Sequence, residues 1–175
     1  MAGDTRPKRG LGCYWRHSGW APDPIARAFD EAAFDRIEAA ISEGETQHRG
    51  EIRFALEPTL SWSALRRGLS PRERALQVFG KHRVWDTEDN TGILIYLLTA
   101  DHAVEIIADR LAHQRLPAEI WSQGCQQVAD ACRAGQPVEG VISAIQQLNQ
   151  ALIAALPAQP GADNPNELDN RPVRL

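Results

Sequence analysis

The sequence predicts an α/β fold, a three-layer α/β/α sandwich with a small mixed β-sheet. Residues 51–56 alternate between polar and apolar side chains as a strand does, and residues 93–98 are apolar on both faces. Residues 104–108 follow after a turn short enough to make an antiparallel pair. A right-handed crossover would make the first two strands parallel. Because the central strand is apolar on both sides, helices are expected to cover both faces of the sheet.

The segment before the first strand divides into an arm and a helix. Residues 1–28 mix Gly, Pro and Arg with isolated Trp and have no periodicity, which predicts an N-terminal arm. We expect Trp15 and Trp20 to anchor this arm on the core. Asp30 can cap a helix that runs to about Gly44.

The clearest helix start lies between the first two strands. Residues 70–73, Ser-Pro-Arg-Glu, form a capping box with proline at the first helical position, which predicts a helix to about His82. Leu76 and Phe79 are its expected buried anchors. Residues 61–68 indicate a shorter helix just before it.

Two long helices follow the hairpin. The first, residues 117–133, has one apolar stripe formed by Trp121, Cys125, Val128 and Cys132. The second starts at Pro137, and the residues expected on its inward face are Val141, Ile145, Leu148 and Leu152. The polar, proline-rich residues at the end predict a tail that becomes ordered only if it docks. The predicted organisation is an arm (1–28), a domain (29–156) and a tail (157–175).

Composition and charge narrow the class of protein. With 175 residues, 43% hydrophobic and 24% charged, the chain is typical of one globular domain. Its formal charge of −4 argues against a dedicated nucleic-acid binder. No apolar run could span a bilayer, and the N-terminus has no apolar segment typical of a secretory signal. The spacing of Cys125 and Cys132 does not allow a disulfide, so free thiols and a cytoplasmic location are expected.

Topology gathers polar residues at one edge of the predicted sheet. The first two strands start at this edge if they are parallel, and the return strand of the hairpin ends there. With Asp101 and His102 as the turn pair, Asp109 would lie opposite Leu94. We call this edge the acidic rim, and its residues come from three separate segments: His48, Glu51, Asp86, Glu88, Asp89, Asn90, Asp109 and Arg110.

Two interpretations of the acidic rim remain open. Clustered carboxylates repel one another unless a cation neutralises them, and hard cations such as Ca²⁺ or Mg²⁺ prefer oxygen ligands. The candidate metal ligands are Asp86, Glu88, Asp89, Asn90 and Asp109. Residues that could support them are His48, Glu51, Arg53 and Arg110. In the other interpretation the loop acids are solvated, and Asp109 pairs with Arg110 or Arg53.

Other motifs carry less information about function. Glu45 and His48 have helical spacing for a metal pair, but no second histidine-rich segment completes a zinc site, so a hydrogen bond or cap is favoured for His48. Residues 66–83 concentrate six cations, which favours a solvated helix face over a phosphate-binding surface: Arg66, Arg67, Arg72, Arg74, Lys81 and Arg83. No serine-hydrolase, phosphate-loop or dinucleotide motif occurs, and no catalytic residue can be named.

Residues 34–156 resemble the TPM domain family, and the short bacterial members most closely. The segment Glu-x-x-His-x-Gly-Glu-Ile-Arg of those members is matched at residues 45–53. Their acidic loop, the Asn and Gly at the strand entrance, and the apolar strand are matched at residues 85–96. The Asp-Arg pair after the hairpin is matched at 109–110. The chain departs from the family at Thr91, which separates an Asn and a Gly that are usually adjacent, and at Leu111, where the family has Gly.

The resemblance implies an α/β/α fold, binding of Ca²⁺ or Mg²⁺, and an accessory or interaction role with a protein partner that the sequence does not identify. Phosphatase activity of plant members implies an alternative, a metal-dependent hydrolase of phosphate esters. In that alternative Arg53 or Arg110 would stabilise the developing charge. The accessory module ranks first because the sequence offers no nucleophile.

Overall fold

The computed structural model describes residues 11–159 and 166–175 of the chain. Its strands are β1 (Glu51–Glu57), β2 (Gly92–Leu98), β3 (Ala103–Ala108) and β4 (Val173–Arg174). Its helices are α1 (Leu11–Arg16), α2 (Pro24–Ala28), α3 (Glu31–Glu45), α4 (Trp62–Arg66), α5 (Pro71–Lys81), α6 (Arg110–Arg115), α7 (Glu119–Arg133) and α8 (Pro137–Ala155). The strands form one mixed sheet in the order β3-β2-β1-β4.

Helices cover both faces of this sheet, and the predicted α/β/α sandwich is confirmed. One face carries Ile52, Phe54 and Ile95, which share a core with the buried sides of α3, α7 and α8. The other face carries Leu94 and Tyr96, which share a second core with α4 and α5. All seven residues of β2 are buried, as a strand covered on both sides requires.

The hairpin between β2 and β3 has a longer turn than predicted. The turn contains a 3₁₀ segment, Thr99–Asp101, and ends at His102, whose φ of 51° is left-handed. The expected pairing of Asp109 with Leu94 is therefore wrong by two residues. Asp109 lies beside Gly92 instead, and its N–H donates to the Gly92 carbonyl at 2.8 Å. It remains at the edge where β1 and β2 begin.

Most helices begin and end close to the predicted residues. The Asp30 side chain accepts a hydrogen bond from the Ala33 N–H at 2.8 Å and caps α3. Along α8 the predicted inward residues are fully buried: Val141, Ile145, Leu148 and Leu152. On α7 Val128 is buried, and the other predicted stripe residues are half-buried: Trp121, Cys125 and Cys132.

Helix α5 has the predicted capping box, but its buried face differs from the expected one. Leu76 is 49% exposed, so its assignment as a buried anchor is wrong. Ala75 and Val78 are buried in its place, and Phe79 is half-buried. Arg74, next to Ala75, reaches towards β1 and binds Glu57 there.

The N-terminal segment is anchored by a histidine and not by its tryptophans. Trp15 and Trp20 are exposed, so the expectation that they anchor the arm is wrong. The buried ring of His17 accepts the Leu60 N–H at Nδ1, at 2.9 Å. Its Nε2 lies 3.0 Å from the Asp101 carboxylate. These contacts fix α1 at the edge where β1 and β2 end.

The end of the chain docks on the domain. β4 pairs in parallel with β1, which adds a fourth strand that the sequence did not predict. Leu168 is buried in the core that contains Leu94. Arg171 forms ion pairs with three carboxylates of α3, those of Glu31, Asp35 and Glu38. None of the described helices is long and apolar enough to cross a membrane.

Candidate functional site

Main-chain hydrogen bonds join three segments at the acidic rim. The Leu111 N–H donates to the Asn90 carbonyl at 3.0 Å, next to the bond between Asp109 and Gly92. The Glu51 N–H donates to the Thr91 carbonyl at 3.4 Å. The loop before β2 is therefore held between the start of β1 and the start of α6.

The loop before β2 that carries Asp86, Glu88 and Asp89, which we call the acidic loop, is held by hydrogen bonds between its own residues. The Thr87 hydroxyl accepts the Thr91 N–H at 2.9 Å, and the Asn90 N–H donates to the Thr87 carbonyl at 3.2 Å. Asn90 adopts a left-handed φ of 57°, which asparagine tolerates better than most residues. These bonds turn the chain sharply before it enters β2 and leave Asp86, Glu88 and Asn90 exposed.

Arginines already pair with two of the loop acids, and a carboxylate of the tail contacts the main chain of the loop. Asp86 pairs with Arg83 at 2.5 Å, and Asp89 pairs with Arg49 at 2.5 Å. The Glu88 N–H donates to the carboxylate of Glu167 in the tail. Part of the charge repulsion that the sequence predicted is therefore relieved by two arginines.

Asp109 has a different environment from the loop acids. Its Oδ1 accepts the Arg110 N–H at 2.7 Å and caps α6. Its Oδ2 is buried and has no hydrogen-bond partner among the described residues. The alternative pairing of Asp109 with Arg53 is not formed, because Arg53 binds the carbonyl and the carboxylate of Asp169 in the tail. A buried oxygen with no partner is costly, which makes Asp109 the most informative residue of the rim.

The predicted metal ligands do not form a closed cage. Within the described ranges, no three His, Cys, Asp or Glu side chains are placed together to hold an ion. The arrangement suits an ion that takes one or two carboxylates and keeps several waters, as Mg²⁺ does. Asp109 Oδ2, which has no hydrogen-bond partner among the described residues, would be the oxygen available to such a site. Metal binding by the five candidate ligands stays a prediction.

His48 has the hydrogen-bonding role that the sequence favoured. The ring is fully buried, its Nδ1 accepts the Gly50 N–H at 3.1 Å, and its Nε2 lies 3.0 Å from Asn149 Oδ1. This network assigns the proton of the neutral ring to Nε2. Burial lowers the pKa of His48, and the hydrogen bond to Asn149 opposes that shift. His48 therefore ties the entrance of β1 to α8.

Two glutamates border a cavity of about 440 Å³ near the start of β1. Glu45 Oε1 accepts the Ile52 N–H at 2.9 Å, and Glu51 Oε2 accepts the Leu168 N–H at 3.1 Å. Burial raises the pKa of Glu45 to about 8 and that of Glu51 to about 7. Asn166 and Asn170 of the tail complete the lining. The sequence indicated Glu51 as a supporting residue but not this cavity, because the contribution of the tail was not predicted.

A buried polar cluster on β1 was also missed. The Glu57 carboxylate accepts the Tyr96 hydroxyl at 2.6 Å and two Arg74 hydrogen bonds, at 2.7 and 2.9 Å. Burial raises the pKa of Tyr96, and the hydrogen bond to Glu57 adds to the shift. The sequence feature that could have revealed this cluster is Glu57, a charged residue at the end of an apolar strand. The cluster clamps α5 onto the sheet.

Comparison with protein-family models matches the TPM domain over residues 25–151. The chain belongs to the TPM domain family. Among solved structures, it is similar to the NMR structure of the BA42 protein from the psychrophilic bacterium Bizionia argentinensis, with a TM-score of 0.72 and 23% identity. That match covers 83% of this chain and 94% of the other. A comparison with curated proteins finds no match.

Two residues of this TPM domain help to shape the rim but were not predicted from the sequence. Arg49, between His48 and the first strand, neutralises Asp89. The Asn149 Oδ1 accepts a hydrogen bond from His48 Nε2, and its Nδ2 donates to the Ala40 carbonyl at 3.0 Å. Asn149 could have been recognised, since it is an amide beside the apolar stripe of a long helix.

Proposed function

We propose that this TPM domain is an accessory module that binds a hydrated divalent cation, Ca²⁺ or Mg²⁺, at the acidic rim. Asp109 is the anchoring ligand. The observation that carries the proposal is its Oδ2 atom, which is buried without a hydrogen-bond partner among the described residues. A cation would satisfy that oxygen, and water molecules would fill the coordination sites that protein atoms do not reach.

The loop acids can join the ion at little cost. Asp86 and Asp89 are about half exposed in their ion pairs with Arg83 and Arg49. Exposed pairs of this kind stabilise a protein by less than about 1 kcal/mol. A divalent ion therefore competes with the arginines for these carboxylates. Asn90 adds an exposed amide oxygen of the kind that Ca²⁺ accepts.

A bound ion would act on the shape and charge of the rim. It would join the loop before β2 to the first turn of α6, two segments that already share the hydrogen bond between Asn90 and Leu111. It would also reduce the negative charge at this edge. A protein partner that recognises the ordered, neutralised rim would then bind only when the cation is present. We infer a cation-dependent interaction on this basis.

Titration with CaCl₂ and MgCl₂, followed by amide NMR, tests cation binding. We expect localised shifts over residues 86–92 and 109–111. Asp109→Asn is the sharpest variant, because asparagine caps helices as well as aspartate and keeps α6 intact. It should weaken binding about tenfold or more. Asp130→Asn, which removes an exposed ion pair with Arg133 on α7, is the matched control and should bind normally. Absence of localised shifts at millimolar metal would overturn the proposal.

The hydrolase of phosphate esters ranks second. Of its two candidate arginines, Arg53 is bound to Asp169, so a substrate phosphoryl group would have to displace the tail to reach it. Arg110 is exposed beside Asp109 and is the better placed of the two. Metal-dependent hydrolysis of a generic phosphate ester that disappears in both Asp86→Asn and Asp109→Asn would favour this function over the accessory module.

A further inference from the structure

Three separate parts of the chain enclose the cavity near the start of β1, which we call the β1 cavity. The end of α3, the first residue of β1 and the tail supply the six described residues that line it: Ser42, Glu45, Thr46, Glu51, Asn166 and Asn170. Arg171 holds the tail in this position through its ion pairs with α3. The volume of about 440 Å³ is that of a small-molecule site.

The three buried residues of this lining all carry hydrogen-bond acceptors. Glu45, Glu51 and Asn170 are 7%, 4% and 9% exposed. The Asn170 Nδ2 donates to the Ser42 hydroxyl oxygen at 2.9 Å, which fixes the orientation of the amide. The Asn170 Oδ1 is buried and has no hydrogen-bond partner among the described residues. Because a buried amide oxygen without a donor is costly, a ligand that donates hydrogen bonds would stabilise this arrangement.

The lining of the β1 cavity is acidic, and no lysine, arginine or histidine is among the described residues that form it. Arg49 and Arg53, on either side of Glu51 in the sequence, pair with aspartates of the acidic loop and of the tail. Burial raises the pKa of Glu45 and of Glu51, and repulsion by Glu51 adds to the shift of Glu45. A positive charge that entered the cavity would favour the ionised form of both groups.

We propose that the β1 cavity binds a small alkylammonium ion, whose ammonium group is held by the carboxylates of Glu45 and Glu51. An ammonium group has three N–H donors, which match these two carboxylates and the Asn170 amide oxygen. Ser42, Thr46 and Asn166 are exposed, so they border the opening of the cavity, where the rest of the ligand would lie. This site does not depend on the cation proposed for the acidic rim.

A divalent metal ion is the competing ligand, because carboxylate and amide oxygens also bind Ca²⁺. Such an ion requires several oxygens that converge within about 2.5 Å of it. In the described part of the chain, no three His, Cys, Asp or Glu side chains are grouped to hold one. The β1 cavity also has room for a chain of several carbon atoms. An organic cation, which brings its own hydrogen-bond donors, therefore fits better.

Isothermal titration calorimetry of the full chain with 1,4-diaminobutane, at constant ionic strength, tests the proposal. The affinity should rise about tenfold or more from pH 6.5 to pH 8.5, because the two carboxyl groups ionise in this range while the amine stays protonated. Protons should be released on binding below pH 8, so the measured heat should depend on the buffer. The uncharged analogue 1,4-butanediol should not bind. Amide NMR should show shifts over residues 42–52 and 166–170.

Glu51→Gln is the sharpest variant, because glutamine keeps an oxygen for the Leu168 N–H and carries no charge. It should lower the affinity for 1,4-diaminobutane about tenfold or more and flatten its pH dependence. Its circular dichroism at pH 6.5 should match that of the parent. Glu139→Gln is the matched control, since Glu139 is exposed and pairs with Arg36 on the surface. It should bind the amine normally.

Asp109→Asn separates this site from the acidic rim and should also bind 1,4-diaminobutane normally. Equal affinities at the two pH values, binding of 1,4-butanediol as tight as that of the amine, or an undiminished affinity in Glu51→Gln would overturn the proposal. So would NMR shifts confined to residues 86–92. Displacement of the amine by CaCl₂ at a tenfold lower concentration would assign the cavity to a metal ion instead.

Discussion

The main-chain oxygen of Val84 lies 1.8 Å from the position that a Cβ atom on Gly92 would occupy. Val84 is fully buried at the end of the segment that follows α5, and Gly92 is the first residue of β2. The loop that carries the acids of the rim can close against the sheet only because Gly92 has no side chain. Glycine is therefore required at position 92 for a steric reason.

Gly92→Ala should destabilise the protein by about 2 kcal/mol or more, because the atom in the way belongs to the backbone and cannot rotate aside. The free energy of unfolding in urea, measured by circular dichroism, is the readout. Because the substitution displaces the acidic loop, it should also weaken any binding of Ca²⁺ or Mg²⁺.

The matched control is Gly80→Ala in α5. A Cβ atom there meets no atom within 4 Å. Alanine is the better helix former, so this variant should be more stable than the parent by up to about 1 kcal/mol. Equal stability of Gly92→Ala and the parent would contradict the steric explanation.

Arg74→Met should destabilise the protein by about 3 kcal/mol, because it leaves the Glu57 carboxylate buried without its ion-pair partner and with the Tyr96 hydroxyl as its remaining hydrogen-bond donor. Chemical denaturation measures the change. The combined variant Arg74→Met, Glu57→Gln should recover part of the loss, since the uncompensated charge is then removed.

Arg36→Met is the control for this cluster. Arg36 pairs with Glu139 between α3 and α8, and both side chains are more than half exposed. Its loss should cost less than about 1 kcal/mol. If Arg74→Met were as mild as Arg36→Met, the cluster around Glu57 would not hold α5 on the sheet.

The sequence predicted those elements whose side-chain pattern reports on local structure. The capping box of α5 and the apolar stripe of α8 were recognised because their residues interact along one helix. β4 was missed because two residues, Val173 and Arg174, carry no period, and only their pairing with β1 makes them a strand. The register of the hairpin was misjudged because a left-handed residue at His102 is not a strong sequence signal.

The rim was predicted in position but not in detail. Strand direction alone placed Asp109 beside the acidic loop, which the bond between Asp109 and Gly92 confirms. Ion pairs depend on which of several arginines lies within reach, and sequence does not encode those distances. Arg49 and Arg83 were therefore not assigned to Asp89 and Asp86.

The protein should lose stability as pH rises from about 6.5 to about 8.5. Glu45 and Glu51 have their pKa raised in the folded state to about 8 and about 7, whereas the unfolded chain titrates at the ordinary value. The folded state therefore holds more protons in this window, and the stability that those protons provide disappears as they dissociate. The expected loss is on the order of 2 kcal/mol. Urea unfolding at several pH values measures it.

His48 makes the pH dependence shallower below about pH 6.5. Burial lowers its pKa, so protonation of His48 in acid opposes folding and would offset part of the gain from the two glutamates. The variant Glu45→Gln keeps an amide oxygen for the Ile52 N–H and carries no charge. It should show a flatter pH profile and exceed the parent in stability at about pH 8.5. A parent profile that rises over this range would contradict the assignment.

Leu168→Ala tests whether the tail is part of the domain. Leu168 is 8% exposed, lies in the core beneath β2, and its N–H is bound by Glu51. Truncation of a buried leucine leaves a cavity, so the free energy of unfolding should fall by about 3 kcal/mol. Leu76→Ala removes the same atoms from a side chain that is 49% exposed and should change stability by less than about 1 kcal/mol. Equal effects of the two substitutions would mean that the tail does not stabilise the domain in solution.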